Sequence, residues 1–444
     1  MGRIFKAKKM TSFQIIILGF ASVILLGTIL LMLPISSKEN VFTSFGDSLF
    51  TATSSVCVTG LVVKDTATYW SYFGQFIILV LIQIGGLGVI TIASFLAMLA
   101  GKKISLMQRQ TIQNSLAAPQ VGGVMKLIRF VLKISVIIEG TGALALLPVF
   151  VKRYGLKGIW MSVFHSVSAF CNAGFDLMGD KTGQFSSLTS FGDDIYVMVV
   201  FSLLIVIGGI GFLTWDDIVT KRLKFSQYRM QSKVILVTTL VLIFVPFVIF
   251  FTCDFAGQPL GQRFCSSLFQ AVTPRTAGFN SVDFGTMTQA GRSIIMILMI
   301  IGGSPGSTAG GMKTTTLAIL VANAIAVFKK KKNAKYFGRR IEDSVVKSAS
   351  TIFFMYISFS LAAALIINMA ENIPIQQCLF ETMSAIGTVG LTLGITPGLG
   401  AVARIVLIVL MFIGRVGGLT IIYAAFSKKD SETSKFPVEN IMVG

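Results

Sequence analysis

The sequence has 444 residues, of which 54% are hydrophobic and only 13% charged. A soluble globular protein carries about 25% charged residues, so this composition excludes a soluble enzyme and a disordered scaffold. The charges are lopsided, with 38 Lys and Arg against 19 Asp and Glu for a net +19, which fits either a nucleic-acid footprint or the cytoplasmic face of a membrane protein.

Taken in chain order, eight apolar runs are long enough to cross the ~30 Å hydrocarbon core, which needs ~20 residues. They are Ser12–Pro34, Tyr72–Ala100, Phe130–Phe150, Ile195–Trp215, Val234–Thr252, Ser293–Phe328, Thr351–Met369 and Val402–Phe426. An even number places both termini on one side. The first run is too long, and too far from a small-residue cleavage site, for a signal peptide. Basic residues cluster at Arg3–Lys9, Lys102–Lys126, Lys221–Lys233, Lys329–Lys347 and Lys428–Lys435. All five clusters fall on one face, which the positive-inside rule makes cytoplasmic. Lys152, Arg153 and Lys157 are exceptions on the other face. Basic residues split among five juxtamembrane clusters are no nucleic-acid surface. The five cysteines (Cys57, Cys171, Cys253, Cys265, Cys378) form no CxxC pair and read as small apolar residues.

Between each odd and even run lies a shorter mixed segment: Phe45–Thr59, Trp160–Ala173, Phe264–Ala277 and Gln377–Val389. Each is too short to span and ends beside a glycine: Gly60, Gly174, Gly278 and Gly390. These glycines stand 114, 104 and 112 residues apart, a near-constant step that marks an internal repeat. Six residues before the glycine stand Ser54, Ser168 and Ser384, with Val272 as the exception. Ten before it stand Phe50, Phe164 and Phe380, with Leu268 in the third copy. Each following run holds a second glycine cluster, at Gly85–Gly88, Gly208–Gly211, Gly302–Gly306 and Gly414–Gly418. The predicted fold is an all-α integral membrane protein of four membrane–pore-loop–membrane repeats around a central pore, with eight spans and four half-helices. Its divisions are a cytoplasmic segment 1–11, repeats 12–101, 102–220, 221–328 and 329–426, and a cytoplasmic tail 427–444.

Non-helical backbone at membrane depth is tolerated only where it is buried or lines a watery cavity. Four glycine turns around one axis meet that condition, and a ring of carbonyl oxygens can replace the hydration shell of a monovalent cation. Glycine suits the turn because it adopts positive φ without a Cβ penalty. Close helix packing explains one such glycine, but not four at one repeat position. The stretches ATSSVCVTGL (52–61), SVSAFCNAGF (166–175), QAVTPRTAGF (270–279) and TMSAIGTVGL (382–391) resemble the four filter loops of the Trk/Ktr/HKT superfamily of potassium transporters. The resemblance covers essentially the whole chain and is strongest to the membrane subunits of bacterial Ktr systems. It implies a potassium-binding filter made of Val58, Thr59, Gly60, Asn172, Ala173, Gly174, Thr276, Ala277, Gly278, Thr388, Val389 and Gly390.

The second run of the third copy departs from the others. Five glycines and a proline within 302–311 cannot continue a regular helix. Below the filter, such a loop can obstruct the path, and the superfamily resemblance implies an intramembrane gate formed by Gly303, Ser304, Pro305, Gly306, Ser307, Thr308, Ala309, Gly310 and Gly311, with Lys313. Gly306–Thr314 is one residue off a nucleotide-binding Walker pattern, but no strand precedes it. Arg415 stands where the first two copies have Gly86 and Gly209. A charge inside a span suggests function, and the resemblance places it beside the gate.

Other polar residues carry weaker expectations. Glu139 pairs with a neighbouring helix or serves transport. Glu381 attracts cations or braces the filter. The single histidine, His165, reads as a packed imidazole. Asp216 and Asp217 face water, and Arg275 pairs with an acidic residue.

The resemblance further implies a homodimer seated on a ring of cytosolic nucleotide-binding RCK subunits. The basic loops are expected to meet membrane lipid or that partner. Potassium is the expected substrate, sodium an activating or coupling ion, and no organic cofactor is expected. The expected location is the bacterial cell membrane, multi-pass. A sodium-coupled transporter of another solute is the alternative, although that class usually shows inverted repeats and a midplane site. No paired carboxylates, metal-spaced histidines or Ser/His arrangement supports an enzyme.

Overall fold

The computed structural model describes residues 11–100, 104–116, 120, 122–222, 224–418, 420, 424 and 439. The expected segment 1–11 before Thr11, most of the tail 427–444 and the end of the eighth run therefore lie outside the described residues. In chain order the helices are α1 (Ser12–Met32), α2 (Phe45–Cys57), α3 (Tyr72–Leu87), α4 (Val89–Leu99), α5 (Leu106–Ser115), α6 (Val124–Tyr154), α7 (Lys157–Phe170), α8 (Gly179–Thr182), α9 (Ile195–Gly209), α10 (Phe212–Lys221), α11 (Met230–Ile249), α12 (Leu260–Val272), α13 (Gln289–Ile300), α14 (Thr314–Phe328), α15 (Asp343–Glu371), α16 (Ile375–Gly387) and α17 (Ala401–Val416). A two-stranded antiparallel hairpin, β1 (Lys335–Tyr336) and β2 (Arg339–Arg340), separates α14 from α15.

Among the described residues, four helices are long and apolar enough to cross a membrane: α1, α6, α15, and α11 continued by a π-helical turn to Asp254. They are the first, third, fifth and seventh apolar runs of the sequence. The even-numbered runs differ from expectation. A break in one copy is expected from the sequence, but all four are broken. The second and fourth runs bend by 97° between α3 and α4 and by 99° between α9 and α10. The sixth is interrupted from Ile301 to Lys313 between α13 and α14, and the eighth breaks at Gly417, after which Gly418, Thr420 and Ala424 are helical again. The physical reason is the glycine cluster in each run. Gly88, Gly211 and Gly417 all adopt φ near +91°, a conformation that breaks a helix and that glycine enters without penalty.

The bends expose backbone that must find partners inside the protein. At the second bend, the carbonyls of Gly209 and Gly208 accept from Ser304 N at 2.9 Å and Thr308 N at 3.3 Å, and Phe212 N donates to Gly306 O at 2.7 Å. The broken sixth run thus supplies the hydrogen bonds that the broken fourth run lacks.

The short helices α2, α7, α12 and α16 occupy the four mixed segments found in the sequence. Each packs on the helix before it and on the post-turn helix of another copy. α2 contacts α17, α7 contacts α3, α12 contacts α9 and α16 contacts α13. Every short helix therefore touches the post-turn helix of the preceding copy, and α2 on α17 closes the circle. The salt bridge from Arg404, in the first turn of α17, to Asp47, in the first turn of α2 (2.7 Å), fastens that closure.

Candidate ion pathway

The four short helices end at one place. Beyond each C-terminus, the residue two before the glycine takes positive φ: Val58 at 56°, Asn172 at 58°, Thr276 at 70° and Thr388 at 51°. Three of these are β-branched, for which this conformation is a genuine outlier. Such strain amounts to about 1–3 kcal/mol per residue and persists only where the surroundings enforce it. The glycines then follow at φ 93°, 69°, 77° and 92° for Gly60, Gly174, Gly278 and Gly390. Positive φ at alternate residues turns successive carbonyls to the same side.

The turns meet in a ring. A Cβ on Gly60 would lie 2.6 Å from Ala173 O, and one on Gly174 would lie 2.9 Å from Ala277 O. The same position on Gly278 faces Val389 O, and on Gly390 faces Thr59 O. Each glycine thus makes room for the carbonyl oxygen of the next copy, and the four oxygens of Thr59, Ala173, Ala277 and Val389 converge.

Hydroxyls brace the turns. Ser54 Oγ accepts from Gly60 N at 3.1 Å, and Ser384 Oγ accepts from Gly390 N at 3.0 Å. Ser168 Oγ donates to Phe175 O at 2.7 Å. In the third copy Thr273 Oγ1 donates to Phe279 O at 2.5 Å, and Phe269 is fully buried as Phe50 and Phe164 are. The exceptions Val272 and Leu268 are therefore a register effect. The third copy has one residue fewer between its bracing hydroxyl and its glycine, five from Thr273 to Gly278 against six in the others. Accordingly Ala277 N bonds Thr273 O, four residues back, whereas Thr59, Ala173 and Val389 bond Ser54, Ser168 and Ser384, five back.

On one side of the ring lies a cavity of about 490 Å³ lined by all four glycines together with Asp65, Asp176, Asp283 and Arg292. On the other side lies the 303–311 loop. Its Thr308 Oγ1 donates to Phe170 O at 2.9 Å, and Gly310 packs on the Thr388 side chain. Lys313 Nζ donates to Ala309 O at 2.9 Å and to Gly310 O at 3.3 Å, holding the loop closed on itself. Arg415 reaches across from the fourth copy. It donates to Thr308 O in the loop and to Gly85 O and Gly86 O at the first bend. All of these acceptors are backbone carbonyls. A second cavity of about 330 Å³ lies beyond the loop, lined by Gly306, Ser307, Lys313 and Arg415. The hydroxyls of Thr59 and Thr388 are buried without a partner among the described residues, leaving acceptor capacity at the ring.

The structure thus brings together the twelve sequence-predicted ring residues, the loop 303–311, Lys313 and Arg415. Other residues divide. His165 is buried on α7, where its Nδ1 bonds Met161 O at 2.7 Å and its Nε2 accepts from Leu177 N at 3.1 Å, a packed imidazole. Glu139 accepts from Gln83 Nε2 at 2.9 and 3.1 Å, pairing α6 with α3. Glu381 braces the segment after Gly390 by accepting from Thr392 Oγ1, Leu393 N and Thr396 Oγ1 at 2.5, 3.1 and 2.7 Å. Two expectations are corrected. Arg275 is buried and donates to Thr239 Oγ1 at 3.2 Å rather than to a carboxylate. Asp217 is buried rather than facing water, because it receives Ser232 Oγ at 2.7 Å, Arg229 N at 3.0 Å and Lys221 Nζ at 2.8 Å. The contacts of Asp47 and Arg404 escape sequence reading, because the two stand 357 residues apart.

Several membrane-length helices, further broken apolar helices and a backbone-lined ring define a multi-pass helical membrane protein. The chain belongs to the TrkH family, described as a cation transport protein, whose model matches residues 4–435. Membership makes it a transport protein and not an enzyme. It is 43% identical to the potassium/sodium uptake protein NtpJ of Enterococcus hirae, over 98% of this chain and 98% of the relative. It is 38% identical to the Ktr system potassium uptake protein B of Bacillus subtilis, over 100% of this chain and 99% of the relative. Its fold matches the potassium transporter TrkH from Vibrio parahaemolyticus with a TM-score of 0.74 at 18% identity, covering 95% of this chain and 86% of that one.

Proposed function

We propose that this chain is the membrane subunit of a bacterial Ktr-type system that takes up potassium through the four-copy ring. In this reading the eight runs and four short helices surround a central pore, and the carbonyls of the residues leading to Gly60, Gly174, Gly278 and Gly390 bind the ion. Loop 303–311, with Lys313 and Arg415, closes the path on the cytoplasmic side. The single observation that carries the reading is the cyclic approach of each glycine to the carbonyl oxygen of the next copy. Convergent carbonyls can substitute for a cation's hydration shell, and strain held at four equivalent turns is a mark of a functional site.

Sodium stimulation, a homodimeric assembly and control by a cytosolic nucleotide-binding RCK ring complete the proposal. The relative named for potassium/sodium uptake supports the sodium part, and the relative named for the Ktr system supports a multi-subunit assembly. The five basic clusters support a cytoplasmic location for both termini. The test is complementation of a potassium-uptake-deficient bacterium at low potassium, with and without sodium, alone and with a cognate RCK subunit. Rescue that is strongest with sodium and partner is expected. No rescue in any combination refutes the proposal.

A further inference from the structure

We propose that the pocket between the start of α11 and the β1–β2 hairpin binds the phosphodiester headgroup of an anionic membrane lipid. The pocket has a volume of about 370 Å³ and is lined by Lys221, Arg229, Lys233, Arg339, Tyr228 and Phe337, among others. Among the described residues, the carboxylates paired with its cations are Asp216 and Asp217. Lys221 pairs with Asp217 at 2.8 Å, and Arg229 pairs with Asp216 at 2.9 Å. Four cations against two carboxylates leave an excess of positive charge, carried by Lys233 and Arg339. Among the described residues, Lys233 Nζ donates only to Ser226 O, at 2.6 Å, and stands 5.9 and 5.8 Å from the ring centroids of Phe225 and Phe337. The ammonium is thus held in place with donor capacity to spare. A held lysine and an exposed arginine, with no carboxylate of their own among the described residues, suit phosphate oxygens.

The lipid source, rather than free phosphate, follows from what adjoins the pocket. From Lys233, the residues one, two, three and four turns along the same face of α11 are Val237, Leu240 with Val241, Phe244 and Val248. All are exposed, Leu240 by 67% and Phe244 by 60%. Residues at this spacing share one face of a helix. An acyl chain can lie along this stripe while its phosphate sits against Lys233 and Arg339. Exposed Phe225 and Phe337 flank the pocket and extend its apolar border. The placement rests on the cytoplasmic assignment of the basic loops proposed above, and a juxtamembrane cation strengthens anionic-lipid binding there about fivefold.

The test uses the purified full-length chain, exchanged into mixed micelles of phosphatidylglycerol and phosphatidylcholine, with bound lipid read by native mass spectrometry. The unaltered chain is expected to retain phosphatidylglycerol in preference to phosphatidylcholine. Lys233→Gln with Arg339→Gln should lower that preference at least tenfold, and Arg339→Gln alone about fivefold. Lys233→Arg should preserve it. Equal retention by the unaltered and doubly substituted chains would overturn the proposal. So would displacement of the lipid by millimolar inorganic phosphate, which would assign the pocket to a free anion. Because Arg339 is exposed on a hairpin, its single substitution keeps the test decisive if the double variant fails to fold.

Discussion

Substituting Gly174 by alanine separates backbone strain from obstruction of the ring. The residue stands at φ +69°, where an L side chain adds about 1–2 kcal/mol. Its new Cβ would lie 2.9 Å from Ala277 O, 2.9 Å from Gly278 Cα and 3.1 Å from Gly278 C. Favourable contacts begin near 3.5 Å, so each is too close by about half an ångström. All three neighbours are backbone of the next copy, so no side-chain rotation relieves them and the ring itself must widen. Gly155 provides the control, because it stands at φ +64° and a Cβ there would meet no atom within 4 Å. Gly155→Ala carries a positive-φ penalty of its own, at ψ −143°, without the collision. In proteoliposomes, rubidium influx against competing sodium should stay within about twofold of the unaltered chain for Gly155→Ala. For Gly174→Ala it should fall at least tenfold, in rate or in preference over sodium, equivalent to about 1.4 kcal/mol. Equal fluxes for the two variants would refute the reasoning that the ring carbonyls handle the ion.

Arg415→Ala should raise cation leak in proteoliposomes lacking any cytosolic protein, because it frees Thr308 O and the bend carbonyls of Gly85 and Gly86; Arg415→Lys should not restore closure, since one ammonium cannot reproduce the planar fork. Leak equal to that of the unaltered chain would contradict a gate role. Glu381→Leu strips the acceptor from Thr392, Thr396 and Leu393 N, and lost partners of buried groups typically weigh about 1–3 kcal/mol each; a fall in thermal midpoint, only partly recovered by Glu381→Gln, is expected. A double-mutant cycle of Arg404→Ala and Asp47→Asn should show coupling of about 1–2 kcal/mol in thermal unfolding, and additive effects would remove this bridge from the closure of the circle.

The four short helices are legible in the sequence because each pairs a fixed-distance glycine with a mixed segment too short to span. Their ends agree with the sequence reading to within a few residues. The loop 302–311 is legible because proline and glycine are incompatible with a helix interior. The bends at Gly88, Gly211 and Gly417 are not, since hydropathy is unchanged by a 97° turn within an apolar run. The Val272 and Leu268 anomalies likewise resolve only in three dimensions, where Thr273 and Phe269 take the vacated places one residue later. Arg415 is conspicuous as a charge among glycines, but its acceptors are carbonyls of two other copies, which carry no side-chain signature. Asp217 reads as a solvated pair-mate of Asp216 because the three donors that bury it come partly from beyond the next loop.

The most direct measurement of the central claim is anomalous diffraction from crystals grown in rubidium. Rubidium is predicted on the axis of the ring, among the carbonyl oxygens of Thr59, Ala173, Ala277 and Val389. Rubidium bound elsewhere, with none at the ring, would contradict the account.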